Sequence, residues 1–87
     1  MTSHVAGMFN PKNPFAMRNM QIVLLRLDGT VFRIIGVEFG ISLERVRQIY
    51  YRHTRSMRAP ADSDHGKRYR NSWQDVMGIE PPEVPSA

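Results

Sequence analysis

Five arginines fall between Ser42 and Arg58, namely Arg45, Arg47, Arg52, Arg55 and Arg58, with no lysine among them. A guanidinium is a planar fork of donors. It matches two phosphate oxygens, or the O6 and N7 edge of guanine, with two parallel hydrogen bonds. Gln48 adds an amide that matches adenine in the same way. On a helix, Glu44, Gln48, Tyr51 and Arg55 recur at i, i+4, i+7 and i+11. Arg47 and Arg58 flank one side of that face, and Arg45 and Arg52 flank the other. Val46, Ile49, His53 and Met57 take the opposite face, with Tyr50 at its edge. An ordinary solvated helix face mixes Lys and Glu at i, i+4. Here there is no lysine, and four arginines flank the face, which suits recognition of a phosphodiester backbone and of base edges.

Other chemistry is thin. The chain has no cysteine, so a disulfide framework and a thiolate metal site are excluded. Asp62-Ser63-Asp64-His65 offers carboxylates and an imidazole but lacks the glycine and terminal glutamate of a calcium loop. Ser42 is better explained as a helix cap than as a nucleophile served by His53, and His53 reads as a packed core histidine. We therefore expect no catalytic residues, no metal, no cofactor and no enzyme activity. Lys67, Arg68 and Arg70, with Tyr69 and Trp73, read either as a second phosphate-contacting arm or as a solubilising linker with Trp73 packed back on the core.

The elements that position these residues are expected to be helices: an all-α fold, a small three-to-four-helix bundle containing a helix-turn-helix. Asn13-Pro14 signals a helix start, and Phe15–Leu27 follows. Met20, Val23, Leu24 and Leu27 make one face, and Ile22 and Leu25 widen it, as in a helix packed on two sides. Asp28-Gly29 ends it. Thr30 is expected to cap a second helix, Val31–Phe39, with Phe32, Ile35, Gly36 and Phe39 on one face. Gly40 ends that helix. Ser42 caps a third, with Glu44 in its first turn, running to about Arg58 before Ala59-Pro60. A polar loop over 61–66 and the basic 67–70 segment follow, then a short helix capped by Ser72 and ended by Gly78.

A helix-turn-helix template laid over Phe32–Tyr51 fits at every diagnostic position. Its fifth is Gly36, where two helices approach so closely that only a small residue fits. Its ninth is Gly40, at the turn, where positive φ is wanted. The apolar positions are Ile35, Phe39, Ile41, Val46 and Ile49. The plain alternative is an αα-hairpin in an ordinary bundle; the arginine-rich face tips the reading toward DNA. The domain plan is a disordered N-terminus over 1–12, a helix-turn-helix domain over 13–59, a basic loop with a short helix over 60–78, and a disordered proline-rich tail over 79–87.

The run Ile35–Ile49 resembles the promoter-reading helix-turn-helix of bacterial sigma factors, their region 4. The string Glu44-Arg45-Val46-Arg47-Gln48-Ile49 is close to a signature of the primary sigma class. The trailing Arg52, Arg55, Met57 and Arg58 keep the family's spacing, and the resemblance spans about Gln21–Arg58. It implies that the third helix enters the major groove of a promoter. Positions matching Glu44, Arg47 and Gln48 would touch bases or nearby phosphates, and Arg45 would serve backbone and activator contacts. The chain departs from the family at Leu43, where an arginine usually reads a guanine, and at Tyr50, usually a glutamate. Leu43 is left to meet a thymine methyl or a protein. The helices that melt DNA and grip the polymerase core find no counterpart, so the resemblance is to a free-standing region 4, as in small regulators and phage-encoded proteins.

Bulk properties agree with that chemistry. Among 87 residues there are 12 Lys+Arg against 8 Asp+Glu, a formal charge of +4, and the sequence pI is about 10.1. Such a balance favours an anionic partner. The longest apolar run is Ile22–Leu25, too short for a membrane span. The chain is expected to be cytoplasmic, in a bacterial cell or in the host of a phage. The expected DNA-binding residues are Ser42, Leu43, Glu44, Arg45, Arg47, Gln48, Tyr51, Arg52, Arg55 and Arg58, with Lys67, Arg68 and Arg70 as a second phosphate contact. Double-stranded DNA is the expected partner. Bacterial RNA polymerase is an alternative one, through the apolar cleft that region 4 offers it, and a phage packaging or recombination assembly is a third setting. A lone helix-turn-helix gains affinity by pairing, so a homodimer or a polymerase contact would complete it.

Overall fold

Two opposite apolar faces of one helix organise the fold. The computed structural model describes residues 14–83. They form four helices: α1 (Ala16–Leu27), α2 (Phe32–Phe39), α3 (Leu43–Met57) and α4 (Asp64–Met77). There is no strand among the described residues, including the β-branched run in α2. Met20 and Val23 of α1 are buried with Tyr69 and Trp73 of α4, and half-buried Leu24 and Leu27 pack beside them. Ile22, on the far side of α1, is buried with Ile35, Val46 and Ile49, and Leu25 joins that cluster. Each such side chain contributes roughly 1.5–3 kcal/mol when fully removed from water. The two-sided packing expected for α1 is what the structure shows.

The starts of α1 and of α2 differ from expectation, while α1 ends at Leu27 before Asp28-Gly29 as expected. Asn13 lies outside the described residues. Pro14 and Phe15 form a turn, and Phe15 takes the cap position without a side-chain bond. At the other end, the Thr30 N–H bonds the Leu25 carbonyl at 3.0 Å. Thr30 therefore belongs to the closing turn of α1. Val31 occupies the cap position of α2, so Thr30 does not cap that helix.

The largest correction concerns α4. It is a 14-residue helix capped by Ser63, not a loop followed by a short helix from Ser72. Ser63 Oγ accepts from the Gly66 N–H at 3.0 Å and donates to the Pro60 carbonyl at 2.7 Å. Ser72 sits inside the helix, buried, and donates to the Tyr69 carbonyl at 2.6 Å. Gly66 fits because a Cβ there would lie 2.2 Å from the Pro60 carbonyl oxygen. Tyr69, Trp73 and Val76 recur at i, i+4 and i+7, which is the helical signal that the polar surroundings obscure. Ser63→Ala is expected to cost about 1 kcal/mol, read as a shift of the urea midpoint at constant slope. An unchanged midpoint would place the start of α4 elsewhere.

Candidate nucleic-acid interface

The outer face of α3 is set by how its inner face is held. Ser42 Oγ accepts from the Arg45 N–H at 3.1 Å and so fixes where α3 begins. The Ile41 N–H returns to the Gly36 carbonyl at 2.9 Å, folding the turn onto α2, and Gly40 takes a φ of 69°. At Gly36 a Cβ would stand 2.8 Å from the Ile41 carbonyl oxygen and 3.5 Å from Val46 Cγ2. The template asked for a small residue here, and the structure narrows that to glycine. Val46, Ile49 and His53 are fully buried, which turns the other side of α3 to solvent.

Ser42, Leu43, Glu44, Arg45, Arg47, Gln48, Tyr51, Arg52, Arg55 and Arg58 are all exposed. Glu44, Arg47, Gln48, Tyr51, Arg52 and Arg55 line one open groove of about 400 Å³. The Ser42 hydroxyl is engaged by its cap, so it positions α3 rather than offering a free contact. Arg45 donates to the Gln48 side-chain carbonyl at 3.4 Å, a long contact that groove partners could exchange. Leu43 stands 42 % exposed at the head of the helix. Tyr51 is 54 % exposed, and its ring leans on Phe32 at 6.0 Å and Tyr50 at 5.3 Å. Arg26 covers the Phe32 ring at 4.7 Å. Tyr51 thus packs on Phe32 of α2 and Tyr50 of α3, and Arg26 of α1 covers the Phe32 ring in turn.

One basic residue of this surface was not legible as such. Arg18, on α1, has its pKa lowered from the usual arginine value by partial burial and then by the charge of Arg45 on α3. Its fork bonds Asn19 Oδ1 at 3.1 and 2.9 Å and rests on the Phe15 ring at 4.5 Å. Its sequence position, inside an apolar helix, gave no hint of Arg45.

Lys67, Arg68 and Arg70 are exposed on α4 rather than on a loop. Arg70 lines a second cleft, of about 350 Å³, with Arg58 at the end of α3; Lys67 and Arg68 do not line it. Trp73 is at the centre of the core, so the aromatic part of that expected arm is structural. The tail also departs from expectation: Glu80, Pro81, Pro82 and Glu83 return to line the Arg58–Arg70 cleft, with both prolines half-buried. Residues 84–87, and the N-terminal segment over 1–12, lie outside the described residues.

The remaining polar groups tie helices together. His53 Nδ1 lies 2.6 Å from the Tyr69 hydroxyl, and His65 Nε2 lies 3.0 Å from Ser56 Oγ, each joining α3 to α4. Burial lowers His53 to about 4 and raises the Tyr69 phenol, so both are neutral at pH 7. No metal-binding group of three or more His, Cys, Asp or Glu occurs among the described residues, and no helix there is long and apolar enough to cross a membrane. A scan against protein-family models and searches of the curated proteins and of the solved structures find no match to the chain.

Proposed function

We propose that this protein binds duplex DNA through the outer face of α3 and regulates transcription at promoters, as a small relative in kind of sigma region 4. One observation carries the reading: a buried inner face and a glycine-locked turn present Arg47, Gln48, Tyr51 and Arg55 together on one groove. Arginine and glutamine at that spacing can reach guanine and adenine edges, while Arg45, Arg52 and Arg58 flank them to meet phosphates. The protein acts by binding, with no bond made or broken.

A salt titration of a labelled duplex tests this. Each phosphate neutralised contributes about −0.9 to the slope of log affinity against log salt. A slope near zero would remove the proposal. Arg47→Ala is expected to cost about 1–3 kcal/mol and to flatten the preference among base sequences. Arg58→Ala is expected to weaken all sequences alike and to reduce the salt slope by about one. Competition binding on a randomised duplex pool separates the two outcomes. If Arg47→Ala leaves binding to every sequence unchanged, direct readout by that side chain is wrong.

A protein-contact reading has its own observation. Val31, Ile34 and Val37 stand exposed along α2, Val37 at 79 %, and Leu43 is exposed at the head of α3. A small protein that docks on RNA polymerase would use such a surface. That binding would survive high salt, whereas DNA binding would not.

A further inference from the structure

We infer that the cleft between the end of α3 and the first turns of α4 is a second DNA-phosphate site, and that the acidic strap Glu80–Glu83 is its built-in competitor. The inference rests on the DNA-binding reading and adds to it a site and its control.

Arg58 closes α3 and Arg70 projects from α4, and both line one cleft of about 350 Å³. Arg55, three residues before Arg58, lines the α3 groove. Arg55 and Arg58, one helical turn apart, thus place one guanidinium on each of two concavities along α3. A duplex held in the groove by Arg47 and Arg55 would carry its backbone past Arg58, where Arg70 supplies a second guanidinium from a different helix. Two forks from two elements can hold one phosphate group from two sides.

The chain then turns back after Gly78. Pro81 and Pro82 settle half-buried against this corner, and Glu80 and Glu83 line the same cleft as the two arginines. Proline stiffens the strap, so its carboxylates are presented at little further entropic cost. Exposed charges on one cleft interact weakly and reversibly. Carboxylates on the lining oppose a phosphodiester there by like charge. The strap thus lowers affinity for any backbone, while base contacts in the α3 groove are untouched. Its effect is to lower overall affinity, by the same factor for every site that places a phosphate in the cleft.

The test is an anisotropy titration of the full chain with a labelled duplex of arbitrary sequence over a range of KCl. Four proteins are compared: wild type, R58A/R70A, E80Q/E83Q, and E38Q/D75N, which removes two exposed carboxylates that do not line the cleft. R58A/R70A should reduce the salt slope by about two. E80Q/E83Q should tighten binding between about twofold and tenfold at low salt, and more than E38Q/D75N does. In the R58A/R70A background, E80Q/E83Q should add no more than E38Q/D75N adds. Equal effects of the strap pair and the control pair in the wild-type background would overturn the inference, as would an unchanged slope in R58A/R70A. Those failures leave DNA binding itself intact. A wild type with no salt-dependent binding would overturn the proposed function and this inference together.

Discussion

Gly36→Val is expected to unfold or badly weaken the protein. The added Cβ would meet the Ile41 carbonyl oxygen at 2.8 Å, and the obstructing atom is backbone. Moving it would break the Ile41 N–H to Gly36 carbonyl bond that folds the turn. Overpacking a well-fitted contact typically costs 1–3 kcal/mol, and a small single-core domain holds only about 3–5 kcal/mol in total. The branched methyls of valine add to the clash. Gly36→Ala separates the causes: in an open helix it should stabilise by about 1 kcal/mol through propensity. Here it should instead lower the melting temperature, because the same Cβ is present. Circular dichroism melts of both variants read the result. Unchanged midpoints would mean that α2 and α3 do not approach at that point, and the groove on α3 would lose its stated orientation.

Acid is expected to loosen the fold well before most carboxylates are protonated. His53 is fully buried, its ring against Tyr69 at 5.5 Å and Trp73 at 6.2 Å. Desolvation lowers it from 6.5 to about 4. The unfolded chain takes up a proton near pH 6.5, while the folded chain resists until about 4, so stability falls as pH drops through that window. The contribution is complete above about pH 6.5 and is fully lost below about 4. The interval corresponds to about 3 kcal/mol. Tyr69 stays protonated throughout, since burial raises it. Urea midpoints of wild type and His53→Gln, compared from pH 7.5 to 4, isolate the histidine from the carboxylates that titrate in both. The wild type should lose stability more steeply than the variant. Parallel curves would show that His53 is not held neutral by its surroundings.

What the sequence disclosed followed from local rules. Periodicity placed both faces of α1, and Gly36, Gly40 and the Ser42 cap located α3 and its exposed side, because each acts within a few residues. What it hid depended on distant partners. Ser63 and Gly66 look like loop residues until the Pro60 carbonyl is placed over them. Tyr69 and Trp73 are helix-forming here because α1 gives them a wall to pack on. Thr30 has a good capping side chain but is drawn into the closing turn of α1. The return of Glu80–Glu83 to the Arg58–Arg70 cleft is a tertiary fact with no periodic trace. Of the expected DNA contacts on α3, exposure was readable from helix phase alone, whereas the pairing of Arg58 with Arg70 was not.

The two-sided packing of α1 has a mechanical consequence. Among the described residues, α1 alone gives fully buried apolar side chains to both clusters. Releasing α4 exposes one interior and leaves Ile22, Ile35, Val46 and Ile49 together. Releasing α1 removes a wall from both at once. Cooperativity is therefore unevenly shared along the chain, with its keystone in a helix that presents little of the proposed DNA face. Substitutions at Met20, Ile22 or Val23 would be felt on the groove of α3 without any of them touching a base.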